Sequence, residues 1–184
     1  DGGPIIARRT TPIGPNETTP EVEERLSLIG VEAVREAIER LAASTPDESL
    51  GEPQDPSAAT KAPRLSKEDG EVDWTRTAQQ IKNQVHAFQP WPGTYSNLHR
   101  AGQEPVRLIF TQVSVGDSTP ATALREPGRV AHVDKEQLLV ATGDGLLSLD
   151  HVQPAGKRAM PVGDWLRGHE VRAGERFGAP NAKA

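Results

Sequence analysis

Two hydrophobic periods divide this chain. From Thr18 to Ala43, apolar residues recur at helical spacing through Val22, Leu26, Ile29, Val34, Ala37, Ile38 and Leu41. The pattern predicts one long helix. Thr18 or Thr19 can cap its start, Pro20 suits its first turn, and Glu21, Glu23 and Glu24 sit at its positive end. Gly30 interrupts it, at a cost of about 1 kcal/mol relative to Ala, and reads as a point of close packing. A second helix is expected after a cap at Asp73 or Thr75. Ala78, Ile81, Val85 and Phe88 share one of its faces, Lys82 and Gln84 point elsewhere, and Pro90 and Pro92 end it.

Beyond Pro92 the period falls to two. Residues 94–98, 106–115, 129–133, 137–142 and 146–153 read as five strands, separated by Gly, Pro and Asp turns that include Ala101-Gly102 and Gly143-Asp144-Gly145. Five short strands with such turns suggest a small barrel, and the oligonucleotide-binding (OB) Greek-key barrel is the five-stranded option. Residues 162–167 fit a short closing helix and residues 177–184 an exposed tail. Ahead of the first helix, Pro4 to Ala7 reads as a short strand. Between the helices, residues 44–59 are rich in Pro, Asp, Glu and Ser without a period, which is linker composition, and Lys61 to Lys67 continue it with positive charge.

Composition narrows the classes. The chain of 184 residues could hold one large domain or two small ones. It has no cysteine, which excludes disulfides, thiolate nucleophiles and Cys-ligated zinc and is compatible with a cytoplasmic protein. No apolar run approaches the roughly 18–20 residues that span a bilayer, so no membrane partner is expected, and no secretory leader pattern opens the chain. The net charge of −5 is uneven: residues 1–60 carry 5 basic and 12 acidic side chains, residues 61–184 carry 16 and 14. The second part is the better candidate for a polyanion partner.

Candidate chemistry is sparse. Asp1-Gly2-Gly3-Pro4-Ile5 reads either as a plain turn or as a carboxylate presented at a strand end. His86, His99, His132, His151 and His169 show no metal spacing, and one Asp between two glycines is too little for a calcium or phosphate loop. No metal is therefore expected. Lys157 and Arg158 follow a Pro/Gly turn that presents them to solvent. Trp74, Trp91 and Tyr95 could stack on bases, but core packing is the favoured reading.

The stretch from Lys61 to Pro92 holds Leu65-Ser66-Lys67-Glu68, Asp73-Trp74, Ala87-Phe88 and Pro90-Trp91-Pro92. With Ala141-Thr142-Gly143-Asp144-Gly145, Gln153 to Met160, Trp165 to Gly168 and Gly174 to Gly178, it resembles the methionyl-tRNA formyltransferases. The resemblance implies an α+β chain: residues 1–45 as the end of an α/β, Rossmann-like formyltransferase domain, 46–66 as a linker, and 67–184 as an OB-like tRNA-binding domain with one N-terminal helix. It implies that the chain is an N-terminally truncated fragment, inactive by itself, and that the missing N-terminal part would bind the donor 10-formyltetrahydrofolate.

By the same resemblance Asp1 matches the Asp of an Asn-His-Asp active site. There the methionyl amine of initiator methionyl-tRNA attacks the formyl carbon while Asp orients and tunes His. Lys61, Arg64, Lys67, Lys82, Lys157 and Arg158 are the expected tRNA contacts, because cations position phosphates without reading sequence. A cytoplasmic monomer is expected. Two alternatives stand beside this reading: a related formyltransferase acting on a sugar-nucleotide amine or a formyl-folate hydrolase or dehydrogenase, and a free-standing OB-type RNA-binding module.

Overall fold

A computed structural model describes residues 2–45, 50–116 and 126–178. The chain divides into two compact units, residues 1–64 and 65–184. Asp1, the carboxylate singled out in the sequence, lies outside the described residues.

The first unit is built on α1, Thr19–Ala43. Thr18 precedes it, and both its backbone N–H and its hydroxyl donate to the Glu21 carboxylate, at 2.8 Å each. Glu21 thereby takes up the Thr18 backbone N–H, as in one arm of a capping box. Arg25 donates to the Thr11 hydroxyl and the Pro12 carbonyl and is bonded to Glu17. Arg40 donates to the Ile6 carbonyl, and Arg9 pairs with Glu36 at 2.6 Å. These bonds lay residues 6–17 along the helix. The expected strand at Pro4–Ala7 is reduced to one antiparallel bridge, Ile5 with Glu52.

No residue of α1 is buried. Val31, Val34, Ile38 and Leu41 fall within one narrow stripe of the helix and are 51–68% exposed. Gly30 has open space around it within this unit, not the close packing read from the sequence.

The second unit is the barrel. A short 3-10 turn at Glu68–Gly70 precedes α2, Ala78–Ala87. The strands are β1 Thr94–His99, β2 Val106–Gly116, β3 Val130–Val133, β4 Leu138–Ala141 and β5 Leu146–Pro154. Two strands of two residues, β6 Met160–Pro161 and β7 Arg176–Phe177, and the short helix α3, Val162–Leu166, complete it. The order is β3-β4-β5-β2-β1-β7, with β6 on β5, all antiparallel. β7 then returns to the segment leading into β3: Val130 N–H donates to Glu175, Gly174 N–H to Val130 and Phe177 N–H to Gly128, each at 2.8 Å. Those bonds bring the sheet round on itself, as an OB-like barrel requires.

Alternation decides which side chains fill it. Leu98, Leu108, Phe110, Val113, Val130, Val140, Leu147, Leu149 and Val152 point inward with Trp74, Ile81, Val85, Trp165 and Phe177. Trp74, Phe110 and Phe177 form an aromatic cluster with ring centroids 5.6–6.0 Å apart. The Trp74 indole N–H donates to the Ser96 hydroxyl at 3.0 Å.

Several expectations are corrected here. α2 is capped by Thr77, not by Asp73 or Thr75: Gln80 N–H donates to the Thr77 hydroxyl and Thr77 N–H to the Gln80 side chain. Asp73 instead accepts from the Thr75 N–H and hydroxyl, which spends it on the turn below Trp74. Gln84 is buried rather than outward. Its amide donates to the Asp69 and Glu71 carbonyls and accepts from Arg76, tying α2 to the preceding loop. Phe177 is buried in β7, so an exposed tail does not begin there, and residues 179–184 lie outside the described part. Trp91 is 51% exposed and Tyr95 half-buried, so of the three aromatics only Trp74 is core.

The β4–β5 turn is held against the start of α2. Gly143 N–H donates to the Trp74 and Arg76 carbonyls, and Ala78 N–H to the Asp144 carbonyl. A Cβ on Gly143 would lie 1.8 Å from the Thr75 carbonyl oxygen, a backbone atom. Gly143→Ala is therefore expected to destabilise the barrel by about 1–3 kcal/mol, the usual cost of forced overpacking. Gly30→Ala, in open space on α1, should stabilise by up to about 1 kcal/mol. Urea unfolding of the two variants checks the contrast; equal effects would mean the turn is not clamped.

Candidate nucleic-acid interface

The six cations expected at an RNA surface fall on both units. Lys61 and Arg64 lie in the first unit, Lys67 just before the 3-10 turn, and Lys82 half-buried on α2. Lys157 and Arg158 are adjacent, in the turn between β5 and β6. Lys157 N–H donates to the Pro154 carbonyl, and the Gln153 amide donates to the Lys157 carbonyl at 3.0 Å. Both side chains are exposed, and neither joins an ion pair among the described residues. Gly156, at φ +70°, makes the turn, a backbone region that glycine enters without penalty.

A second basic feature was not legible in the sequence. Where β7 meets β1 and the lead into β3, an open groove of about 570 Å³ is lined by His99, Arg100, Arg129, Arg172, Arg176 and Glu175. Its charges are partly spoken for. Glu126 bridges Arg129, at 3.0 Å, and Arg176. Arg172 pairs with Glu170 at 2.8 Å. Arg129 also donates to the Gly174 carbonyl, which braces the barrel seam. Arg100 donates to the Glu170 carbonyl but meets no carboxylate among the described residues. These arginines come from three separate stretches of sequence, and barrel closure alone assembles them.

The outer face of the sheet adds Arg107, whose guanidinium lies 3.5 Å from the centre of the Tyr95 ring. Strand parity was the available signal: Tyr95, Asn97 and His99 alternate with buried Thr94, Ser96 and Leu98. Among the described residues no group of three His, Cys, Asp or Glu is placed to hold a metal ion. No described helix is long and apolar enough to cross a membrane.

An OB-like barrel entered by one helix and edged with exposed cations defines a class, and residues 64–170 match its family, formyl transferase, C-terminal domain. The chain belongs to that family. It is 42% identical over 184 residues to the methionyl-tRNA formyltransferase of Rhodopirellula baltica, covering 98% of this chain and 54% of that protein. The Thermus thermophilus methionyl-tRNA formyltransferase is 42% identical over 178 residues, and that of Geobacter sulfurreducens 36%, covering 53% and 52% of those proteins. The chain thus spans about half the length of the curated relatives it matches, and it aligns with their C-terminal portion. Among solved structures, a variant of HypX from Aquifex aeolicus is similar over 94% of this chain and 29% of its own, with a TM-score of 0.61 and 20% identity. That is a likeness of fold.

The Glu126 carboxyl is held below its ordinary 4.5, first by the hydrogen bond from Arg129 and then by the charges of Arg129 and Arg176. A depressed carboxylate stabilises the fold above its ordinary value, and that contribution fades as pH falls through the folded one. NMR titration should place Glu126 below 4.5, and Arg129→Ala should move it upward. An unshifted midpoint in the parent chain would remove Glu126 as the clamp of the seam.

Proposed function

We propose that this chain serves as the C-terminal portion of a methionyl-tRNA formyltransferase, in which it holds the tRNA substrate for formyl transfer. The observation that carries the reading is 42% identity to a protein of that name across 98% of this chain. The apolar stripe of α1 supports it, since a face of that kind is stable in water only when another surface covers it. In this reading the first unit completes the catalytic domain and residues 67–184 form the tRNA-binding domain, with 46–66 as the linker between them. The enzyme works as a cytoplasmic monomer. The donor is 10-formyltetrahydrofolate, and no described residue is assigned to its site.

Asp1 takes the part of the active-site carboxylate. It orients the His that helps polarise the formyl carbonyl and assists the proton leaving the methionyl amine. Lys157 and Arg158 contact phosphates of the tRNA, together with Lys61, Arg64, Lys67 and Lys82. A structured RNA arm is recognised through shape and backbone, so these contacts position the substrate and do not read its sequence.

Joining this chain to the N-terminal half of the Thermus thermophilus relative tests the catalytic part. The chain alone should transfer no formyl group to methionyl-tRNA, and the joined protein should. Asp1→Asn in the joined protein should lower turnover by roughly 100-fold or more, the scale of a lost acid–base partner. Near-normal turnover would remove Asp1 from the site.

RNA binding is a separate test on the 184-residue chain. Replacing Lys157 and Arg158 by Ala should weaken binding about equally for initiator and elongator tRNA and flatten the salt slope by roughly one to two units. Stability should change by no more than about 0.5 kcal/mol, as for exposed sites. Unchanged binding in a folded variant would exclude the turn from the RNA surface.

A further inference from the structure

The β5–β6 turn and the arginine groove lie on one face of the sheet, and the strand register connects them. Gln153 on β5, whose amide holds the Lys157 carbonyl, is paired with Ile109 on β2, and Ile109 with Tyr95 on β1. Two residues along, Asn97 is paired with Arg107. Two further along, His99 is paired with Arg176 on β7, at the wall of the groove that Arg100 lines. Paired residues face the same side of a sheet, and every second residue of a strand returns to it. Their inward neighbours, Leu98, Leu108, Phe110, Val152 and Phe177, are buried, which fixes the named set on the outside. Strands about 4.8 Å apart and two-residue steps of about 6.8 Å make this diagonal roughly 20 Å long.

We propose that this diagonal is an RNA-backbone track, running from the Lys157–Arg158 turn across Arg107 on Tyr95 to the groove at Arg100. It rests on the reading of this unit as RNA-binding and adds where the nucleic acid lies. Two cations distinguish the track from ordinary surface charge. Arg107 is exposed and in no ion pair among the described residues, and its guanidinium carbon lies over the Tyr95 ring. Arg100 donates to the Glu170 carbonyl and meets no carboxylate among the described residues.

The acidic groups along the groove are Glu126, Glu170 and Glu175. Glu126 and Glu170 are committed to Arg129, Arg176 and Arg172, and Glu175 accepts the Arg172 backbone N–H. In the groove Arg100, and on the sheet Arg107, thus keep a guanidinium that no carboxylate among the described residues engages. A guanidinium fork matches that geometry, and an Arg stacked on an aromatic ring also offers a plane to an unpaired base.

The test uses the 184-residue chain and a transcript of initiator tRNA, titrated at salt concentrations from about 50 to 200 mM. Arg100→Ala with Arg107→Ala should weaken binding at every salt concentration and flatten the salt slope by roughly one to two units. Lys135→Ala, on the β3–β4 turn and off the track, should leave the slope unchanged. If the double variant keeps the parent slope while the Lys157 and Arg158 pair flattens it, the track is wrong and the RNA reading stands. If the parent chain binds no RNA, both fail. Should the double variant disturb the fold, Arg107→Glu at its exposed site carries the test. It must weaken binding more than Lys135→Glu does, and equal weakening overturns the proposal.

Discussion

The contact on which the barrel depends is the burial of the Trp74 indole at the seam of the sheet. Trp74 arrives from outside the strands, ahead of α2, and packs between Phe110 of β2 and Phe177 of β7. Its ring also lies against Gly128 and Gly178, where an added Cβ would come within 3.5 and 3.3 Å of it. Those two glycines flank the hydrogen bonds that join β7 to the lead into β3. Closure therefore needs a flat aromatic group and two residues without side chains at one point. The indole N–H would be an orphan there, and Ser96 takes it up. A hydrophobe of similar volume would fill the space and leave that polar pairing unmade.

Much of the architecture was legible because strand periodicity is a local signal. The five longer strands begin and end within one or two residues of the apolar alternation, and the Gly143 to Gly145 turn reads directly as a hairpin. What the sequence concealed required knowledge of partners. Asp73 carries good capping chemistry, yet the turn under Trp74 claims it, and Thr77 serves the helix. Gln84 looks like a surface residue until the loop carbonyls of Asp69 and Glu71 are brought over it. β7 has two residues, too short for any period, and its place in the sheet is set by β1 on one side and the lead into β3 on the other. Trp91 follows a proline and precedes another, which read as a buried clasp, but the ring stands half in solvent.

The same division holds for the candidate interface. Lys157 and Arg158 are adjacent in sequence and follow a turn signature, so their exposure could be read. Arg100, Arg129, Arg172 and Arg176 are spread over nearly eighty positions and meet only when the sheet closes. Arg107 was within reach of sequence reasoning, since its parity on β2 is that of Ile109 and opposite to buried Leu108 and Phe110. Ion pairing then separates these cations by role. Arg129 and Arg176 are spent on Glu126 and hold the seam, whereas Arg107 and Arg100 keep unspent donors. Counting positive residues could not have made that separation.

The meeting of Trp74 with Gly178 has a consequence for how such a unit can travel between proteins. The first aromatic of the unit, Trp74, covers Gly178, so two points more than a hundred residues apart in the chain lie at the same wall of the barrel. Entry and exit that lie side by side let a folded unit be spliced into a foreign surface loop without stretching either connector. The same adjacency allows the chain to be joined from Gly178 back to the segment before Trp74 and opened elsewhere, at the exposed Ala101-Gly102 turn for instance, with the aromatic cluster left whole. Closure by a residue from outside the strands thus makes the barrel self-sealing and portable as one piece.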